Sequence, residues 1–185
     1  AVKDALKDKN RGQLIMACGT GKTFTTLWIK EALAAHSTLV LLPSLSLLSQ
    51  TMREWAWAGN TEFEILNVCS DQSVGRQAED MSANDAPFPV TSNSDEIASF
   101  LQKPSPKVVF CTYQSSPLIT EAQFKAAKFT FDLAIADEAH RCAGKVDAGF
   151  ATILDDQKIR AAKRLFTTAT PRYFGKSVVS KAEGR

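Results

Sequence analysis

An open, mainly parallel α/β sheet flanked by helices is the fold class that this sequence predicts. Three observations carry the prediction. Short continuous apolar runs recur, among them Thr38-Leu39-Val40-Leu41-Leu42 and Phe131-Asp132-Leu133-Ala134-Ile135-Ala136. Runs that do not alternate suit strands of a parallel sheet covered on both faces. Stretches of helical spacing separate those runs, and the polar clusters fall just after them, where an open parallel sheet binds ligands.

Taken in order, residues 2–9 read as the tail of a helix, stopped at Asn10-Arg11-Gly12. Gly12 is a natural residue just past a helix end. Leu14–Ala17 is the first strand. Phe24, Leu27, Trp28, Glu31, Ala32 and Ala35 then give the spacing of a helix packed on a sheet, running to about His36. Thr38–Leu42 is the second strand, ended by Pro43. Ser44 caps a helix over about 45–58, with Leu47, Leu48, Thr51, Met52 and Trp55 on one face. Trp55 and Trp57 read as packing residues. Phe63–Cys69 is the third strand.

Residues 70–106 hold four of the seven prolines and many Ser, Asn and Asp, so they read as a long loop. One short helix, Ile97–Leu101, is opened there by Ser94-Asp95-Glu96. Long loops of this kind are functional or mobile segments. Lys107–Tyr113 is the fourth strand, followed by a Pro-started helix around 117–127. Phe131–Ala136 is the fifth strand. A short helix is expected over 148–154 and a sixth strand over Arg164–Thr168, with a polar tail beyond.

Between the first strand and the first helix lies Cys18-Gly19-Thr20-Gly21-Lys22-Thr23. Strand, glycine turn, Gly-Lys-Thr and helix make a phosphate-binding loop. Glycines allow positive φ and turn backbone N–H groups inward, and the helix N-terminus adds partial positive charge. Cys18 to Thr23 are therefore the candidate nucleotide-binding residues. Lys22 is placed to reach the terminal phosphates and Thr23 to ligate Mg²⁺. Met16 stands where the usual pattern has a glycine.

The acidic pair Asp137-Glu138 follows the fifth strand directly. It supplies what a phosphate loop lacks. Asp137 is the candidate metal ligand, acting through water, and Glu138 the candidate general base for an attacking water.

Composition excludes several classes. Net charge is +2, so the total carries no strong electrostatic footprint for nucleic acid. No apolar run approaches the roughly 20 residues of a membrane span, so no membrane partner is expected. Cys18, Cys69, Cys111 and Cys142 form no Cys-x-x-Cys pattern and read as separate reduced thiols in a cytoplasmic setting.

Asp137-Glu138-Ala139-His140 spells a DEAH box. Together with Ala17–Thr23 and Thr168-Ala169-Thr170-Pro171, it resembles the first RecA-like motor domain of superfamily-2 helicases and translocases, over roughly residues 1–175. Leu42-Pro43-Ser44 is similar to that family's motif Ia, and Cys111-Thr112-Tyr113-Gln114-Ser115 to its Thr-Tyr-x-Ser region. The Thr-Ala-Thr-Pro form is similar to the motors of type I, III and ISP restriction enzymes.

The resemblance implies a three-layer RecA-like P-loop NTPase fold that uses ATP and Mg²⁺. It implies catalytic roles for Lys22, Asp137, Glu138 and His140, with Thr168 and Thr170 on the phosphate side. Pro43, Ser44, Thr112 and Ser115 are implied to contact the nucleic-acid strand through backbone N–H groups and hydroxyls, which need little net charge. The implied partners are DNA, chiefly duplex, and a second RecA-like domain of a parent chain, with nuclease and methyltransferase domains also allowed. Residues 176–185 are then a linker or tail towards that second domain. An RNA helicase, a chromatin-type remodeller and a protein-translocating motor share these motifs and remain open as alternatives.

Overall fold

The computed structural model describes residues 6, 9–69, 90–139 and 152–170. Among these residues the elements are β1 (Arg11–Ile15), α1 (Lys22–Ala32), β2 (Ser37–Leu42), α2 (Leu45–Ala58), β3 (Glu64–Val68), β4 (Val90–Thr91), α3 (Ser94–Leu101), β5 (Lys107–Thr112), α4 (Ser116–Lys125), β6 (Phe131–Ala136) and β7 (Ala161–Thr168). Single 3₁₀ turns lie at Tyr113–Ser115 and Thr152–Leu154. The strands form one sheet in the order β1-β7-β6-β2-β5-β3-β4. Every pairing is parallel, as the apolar runs predict.

The central strands explain why those runs do not alternate. β2 and β5 are buried along their whole length. Leu39 and Leu41 of β2 join a core with Ile97, Leu101, Ile119 and Ala122 of α3 and α4. Val40 and Leu42 point the other way, into a core with Leu27, Leu48, Met52 and Trp55 of α1 and α2. Successive side chains of a strand alternate faces, so both faces must be apolar when both are covered. The result is three layers. Burying each such Leu or Ile contributes about 1.5–3 kcal/mol.

Asp132 is the one exposed position of β6. Its carboxylate accepts from the His36 and Ser37 amides at 3.0 and 2.8 Å, which aligns the starts of β2 and β6. At β7, the buried Arg164 guanidinium donates to the carbonyls of Ile153, Ala161 and Ile159. It pairs with Asp156 at 2.7 Å, tying the 152–160 segment to the sheet. Burial lowers the Arg164 pKa, and the charge of Asp156 opposes that.

Several element bounds differ from the sequence expectations. β1 covers Arg11–Ile15 rather than Leu14–Ala17, with Arg11, Gln13 and Ile15 exposed. It is an edge strand, so pairing to β7 decides its extent, not an apolar run. α1 stops at Ala32, short of His36. There Ala34 takes φ 50°, and the Ala34 and Ala35 amides donate back to Glu31 and Lys30. That is a Schellman stop without glycine. α3 is longer than predicted and is capped by Asn93, whose side chain accepts from the Asp95 amide at 2.9 Å. β4 was not expected, because two residues hold no periodicity. β7 begins at Ala161 through pairing with Phe131 of β6. The 148–154 helix is a 3₁₀ turn over 152–154, its earlier part lying outside the described residues, as do most of residues 2–9 and 176–185.

Trp55 joins fold to site. It is fully buried and meets Phe110 edge-on at 5.6 Å. Its indole N–H donates to the Thr23 carbonyl at 3.1 Å, fixing the first turn of α1 against α2. Trp55→Ala is therefore expected to cost about 3–5 kcal/mol. The check is a lower urea midpoint with an unchanged slope.

Candidate active site

The turn between β1 and α1 is built by two residues in the left-handed region, Gly19 at φ 75° and Gly21 at φ 85°. A Cβ at either would meet nothing within 4 Å. The dihedral and not crowding therefore requires glycine there. Met16, which stands where the usual pattern has glycine, has no such dihedral. Its N–H donates to Thr168 at 3.1 Å and extends the β1–β7 ladder. Thr20 closes the turn onto the Ala17 carbonyl, its hydroxyl donating at 2.7 Å. Gly21 is the N-cap of α1, offers no side-chain cap, and no acidic residue lies in the first turn. The helix N-terminus thus keeps its partial positive charge uncompensated by its own side chains.

Lys22, the first residue of α1, reaches across to the end of β6. Its ammonium lies 2.8 Å from Glu138 Oε1 and 3.7 Å from Asp137 Oδ1. These side chains are only 13%, 21% and 22% exposed for Lys22, Glu138 and Asp137. Burial pulls the Lys22 pKa down. The hydrogen bond with Glu138 and the charges of Asp137 and Glu138 outweigh it, and the net shift is upward.

Asp137 is held from several elements at once. Its amide donates to Leu41 of β2 at 2.9 Å. Its carbonyl accepts from the Tyr113 hydroxyl at 2.6 Å, and its carboxylate from the Thr167 hydroxyl of β7. Glu138 takes φ 50°, an unusual conformation for a residue with a long side chain. Neither Tyr113 nor Thr167 stands out in the sequence as a partner of Asp137. Tyr113 sits inside the Thr-Tyr-x-Ser stretch, but only the fold brings it to β6.

Thr168 and Thr170 lie at the end of β7, between β1 and β6 in the sheet. The Thr170 amide donates to the Thr168 hydroxyl at 3.2 Å, and Thr168 pairs in register with Ile15, beside the phosphate loop. His140 lies outside the described residues. Cys18 and Thr20 are exposed on the loop.

The four strand-contact candidates are placed at the ends of β2 and β5, with less exposed chemistry than the sequence suggests. Pro43 is buried, and Ser44 is half-buried. The Ser44 hydroxyl accepts from the Leu47 amide at 3.3 Å, capping α2. Thr112 and Ser115 are buried, and the Thr112 hydroxyl donates to that of Ser115 at 3.0 Å. The exposed side chain of this turn is Gln114.

Among the described residues no group of three or more His, Cys, Asp or Glu could hold a metal. A magnesium site needs none. Mg²⁺ takes one or two protein oxygens and completes its shell with water and phosphate, so Thr23 and Asp137 form a fitting donor set. No helix among these residues is long and apolar enough to cross a membrane.

Known proteins give the same picture. Residues 1–173 match the family described as "Type III restriction enzyme, res subunit". Probable helicases of African swine fever virus are similar. One from a Malawi tick isolate is 35% identical over 169 residues, covering 91% of this chain and 18% of its own length. A pig isolate from Kenya gives 34% over the same span. The chain therefore spans about a fifth of the curated relatives it matches.

Among solved structures, the ATP-dependent type ISP restriction-modification enzyme LlaBIII, bound to DNA, superposes with a TM-score of 0.80 at 36% identity. That match covers 94% of this chain and 12% of that one. A nuclease-deletion mutant of the type ISP enzyme LlaGI, with a DNA substrate mimic, gives 0.75 at 37% identity, covering 94% and 17%. The Hef helicase domain of Pyrococcus furiosus shares the fold at 18% identity, with a TM-score of 0.61 over 96% of this chain and 33% of that one. With residues 1–173 matched, nearly its whole length, the chain belongs to the family of the type III restriction enzyme res subunit.

Proposed function

We propose that this chain is the ATP-binding half of a DNA translocase motor, part of a restriction-modification or related defence enzyme. The observation that carries the reading is the meeting of Lys22 with Asp137 and Glu138 at 3.7 and 2.8 Å. It joins a phosphate-loop lysine to a metal-binding carboxylate and a candidate base. The DNA-bound type ISP enzymes of similar sequence support DNA as the polymer.

The chain's own groups suffice for the binding half of the reaction. The N–H groups of the Gly19–Gly21 turn and of the α1 N-terminus bind the phosphates of ATP. Lys22 exchanges Glu138 for phosphate oxygens. Glu138, released from the ammonium, orients a water and accepts its proton as the water attacks the terminal phosphorus. Thr23 and Asp137 are the residues that would hold Mg²⁺, which when bound would supply charge neutralisation to the phosphate oxygens. A second RecA-like domain of the parent chain completes the site and supplies the arginine that stabilises the transition state. Closing and reopening of that cleft moves the motor along the strand. The ends of β2 and β5 face the strand through backbone N–H groups and Gln114, since Thr112 and Ser115 are turned inward. His140 links the phosphate side to Thr168 and Thr170. The motor works in the cytoplasm, with nuclease and methyltransferase domains as attached partners.

The test is the ATPase rate of the full natural chain containing this domain, with duplex DNA, single-stranded DNA, RNA and no polymer. Stimulation by duplex DNA, abolished in Lys22→Ala, is the expected result. Stimulation by RNA alone would move the reading to an RNA helicase, and stimulation by a preprotein alone to a protein-translocating motor. Glu138→Gln should lower kcat by about 10²–10⁴-fold. Its affinity for a non-hydrolysable ATP analogue should stay equal or rise, because the carboxylate no longer competes for Lys22. The 185-residue chain by itself should hydrolyse ATP about 10³–10⁵-fold more slowly than the full motor, the share of an arginine finger, as a steady-state phosphate-release assay would show.

A further inference from the structure

Tyr113 has a position that the motor reading does not use. It is fully buried and begins the turn directly after β5. Its hydroxyl donates to the Asp137 carbonyl, after β6, at 2.6 Å. β5 and β6 are not neighbours, because β2 lies between them. Two strand spacings separate them, about 10 Å. The phenol therefore crosses the carboxyl end of β2 to reach the metal-binding residue of another strand.

The bond falls on a consequential atom. The Asp137 carbonyl belongs to the Asp137–Glu138 peptide. The orientation of that peptide sets the direction in which Glu138 leaves the chain. Glu138 holds φ 50°, a conformation that persists only where its surroundings fix it. The Leu41 carbonyl anchors the Asp137 amide on one side, and Tyr113 anchors its carbonyl on the other. The hydroxyls of Thr112 and Ser115 bond to each other on either side of Tyr113 and Gln114, and Gln114 is exposed between buried Tyr113 and buried Ser115.

We propose that Tyr113 is a positioning residue that couples the strand-facing turn 113–115 to the Asp137–Glu138 peptide, so that nucleic acid on the turn sets the base for hydrolysis. The inference rests on the ATPase reading above. Tyr113 acts through Asp137 and Glu138.

Tyr113→Phe in the full natural chain removes the hydroxyl and keeps the ring. Four quantities are compared with wild type: melting, affinity for a non-hydrolysable ATP analogue with Mg²⁺, hydrogen exchange at the Asp137 and Glu138 amides, and kcat with and without duplex DNA. The variant is expected to melt cooperatively and to bind the analogue and DNA within about twofold of wild type. Exchange at the two amides should quicken. DNA-stimulated kcat should fall about 10- to 100-fold, the usual effect of removing a partner behind a metal ligand. The unstimulated rate should fall less, so that stimulation collapses. Wild-type kcat in the variant would overturn the Tyr113 inference alone. So would a loss of analogue affinity that accounts for the whole fall in kcat/KM, since that marks a structural role. A wild-type chain whose hydrolysis is absent, or survives Lys22→Ala, would overturn the ATPase reading and this inference with it.

Discussion

The contact of Lys22 with Glu138 and Asp137 is the interaction around which the site is arranged. Two adjacent carboxylates at the end of a buried strand repel each other and lose solvation. The Lys22 ammonium lies against both, 2.8 Å from Glu138 and 3.7 Å from Asp137. Burial alone would disfavour the ammonium, but the acidic pair outweighs it and raises its pKa. Because the folded pKa lies above the unfolded one, the pair's stabilisation is fully present below the ordinary lysine value. It is lost only as pH rises through the raised one. Lys22 therefore stays charged throughout the neutral range.

That contact depends on the sheet. Lys22 opens α1 after β1, at the edge, whereas Asp137 ends β6, two strands away with β7 between. The rigid parallel ladder from Ile15 through Thr168 to Ala136 sets how far apart these ends lie. Trp55 then holds the α1 N-terminus from α2, in the same helical layer, through the Thr23 carbonyl. Core packing and site geometry are in this way one problem. The same indole and the same strands that bury apolar surface also fix a lysine against a carboxylate pair.

Beside Lys22, hydroxyls also hold the acidic pair and the turn near it. Thr167 and Tyr113 donate to Asp137, and the hydroxyls of Thr112 and Ser115 close on each other. This agrees with a net charge of only +2. Thr112 and Ser115 turn their hydroxyls inward, and Gln114 is the exposed side chain of the turn.

The sequence by itself determined the fold class, the order of the main elements and the phosphate loop. Those features are local. Continuous apolar runs such as Leu39–Leu42 follow from burial on two faces, and Gly19 and Gly21 follow from positive φ. The Asp137-Glu138 pair was legible for the same reason, as polar residues directly after a buried strand. Tertiary structure alone decided what depends on pairing between distant segments. β1 owes its bounds to β7, and β4 exists only as a partner of β3. The bond from Tyr113 to Asp137 spans an intervening strand that no local pattern can report. Apolar periodicity records which side of an element is buried. It does not record which residue lies opposite, because register and strand order are set by the whole sheet.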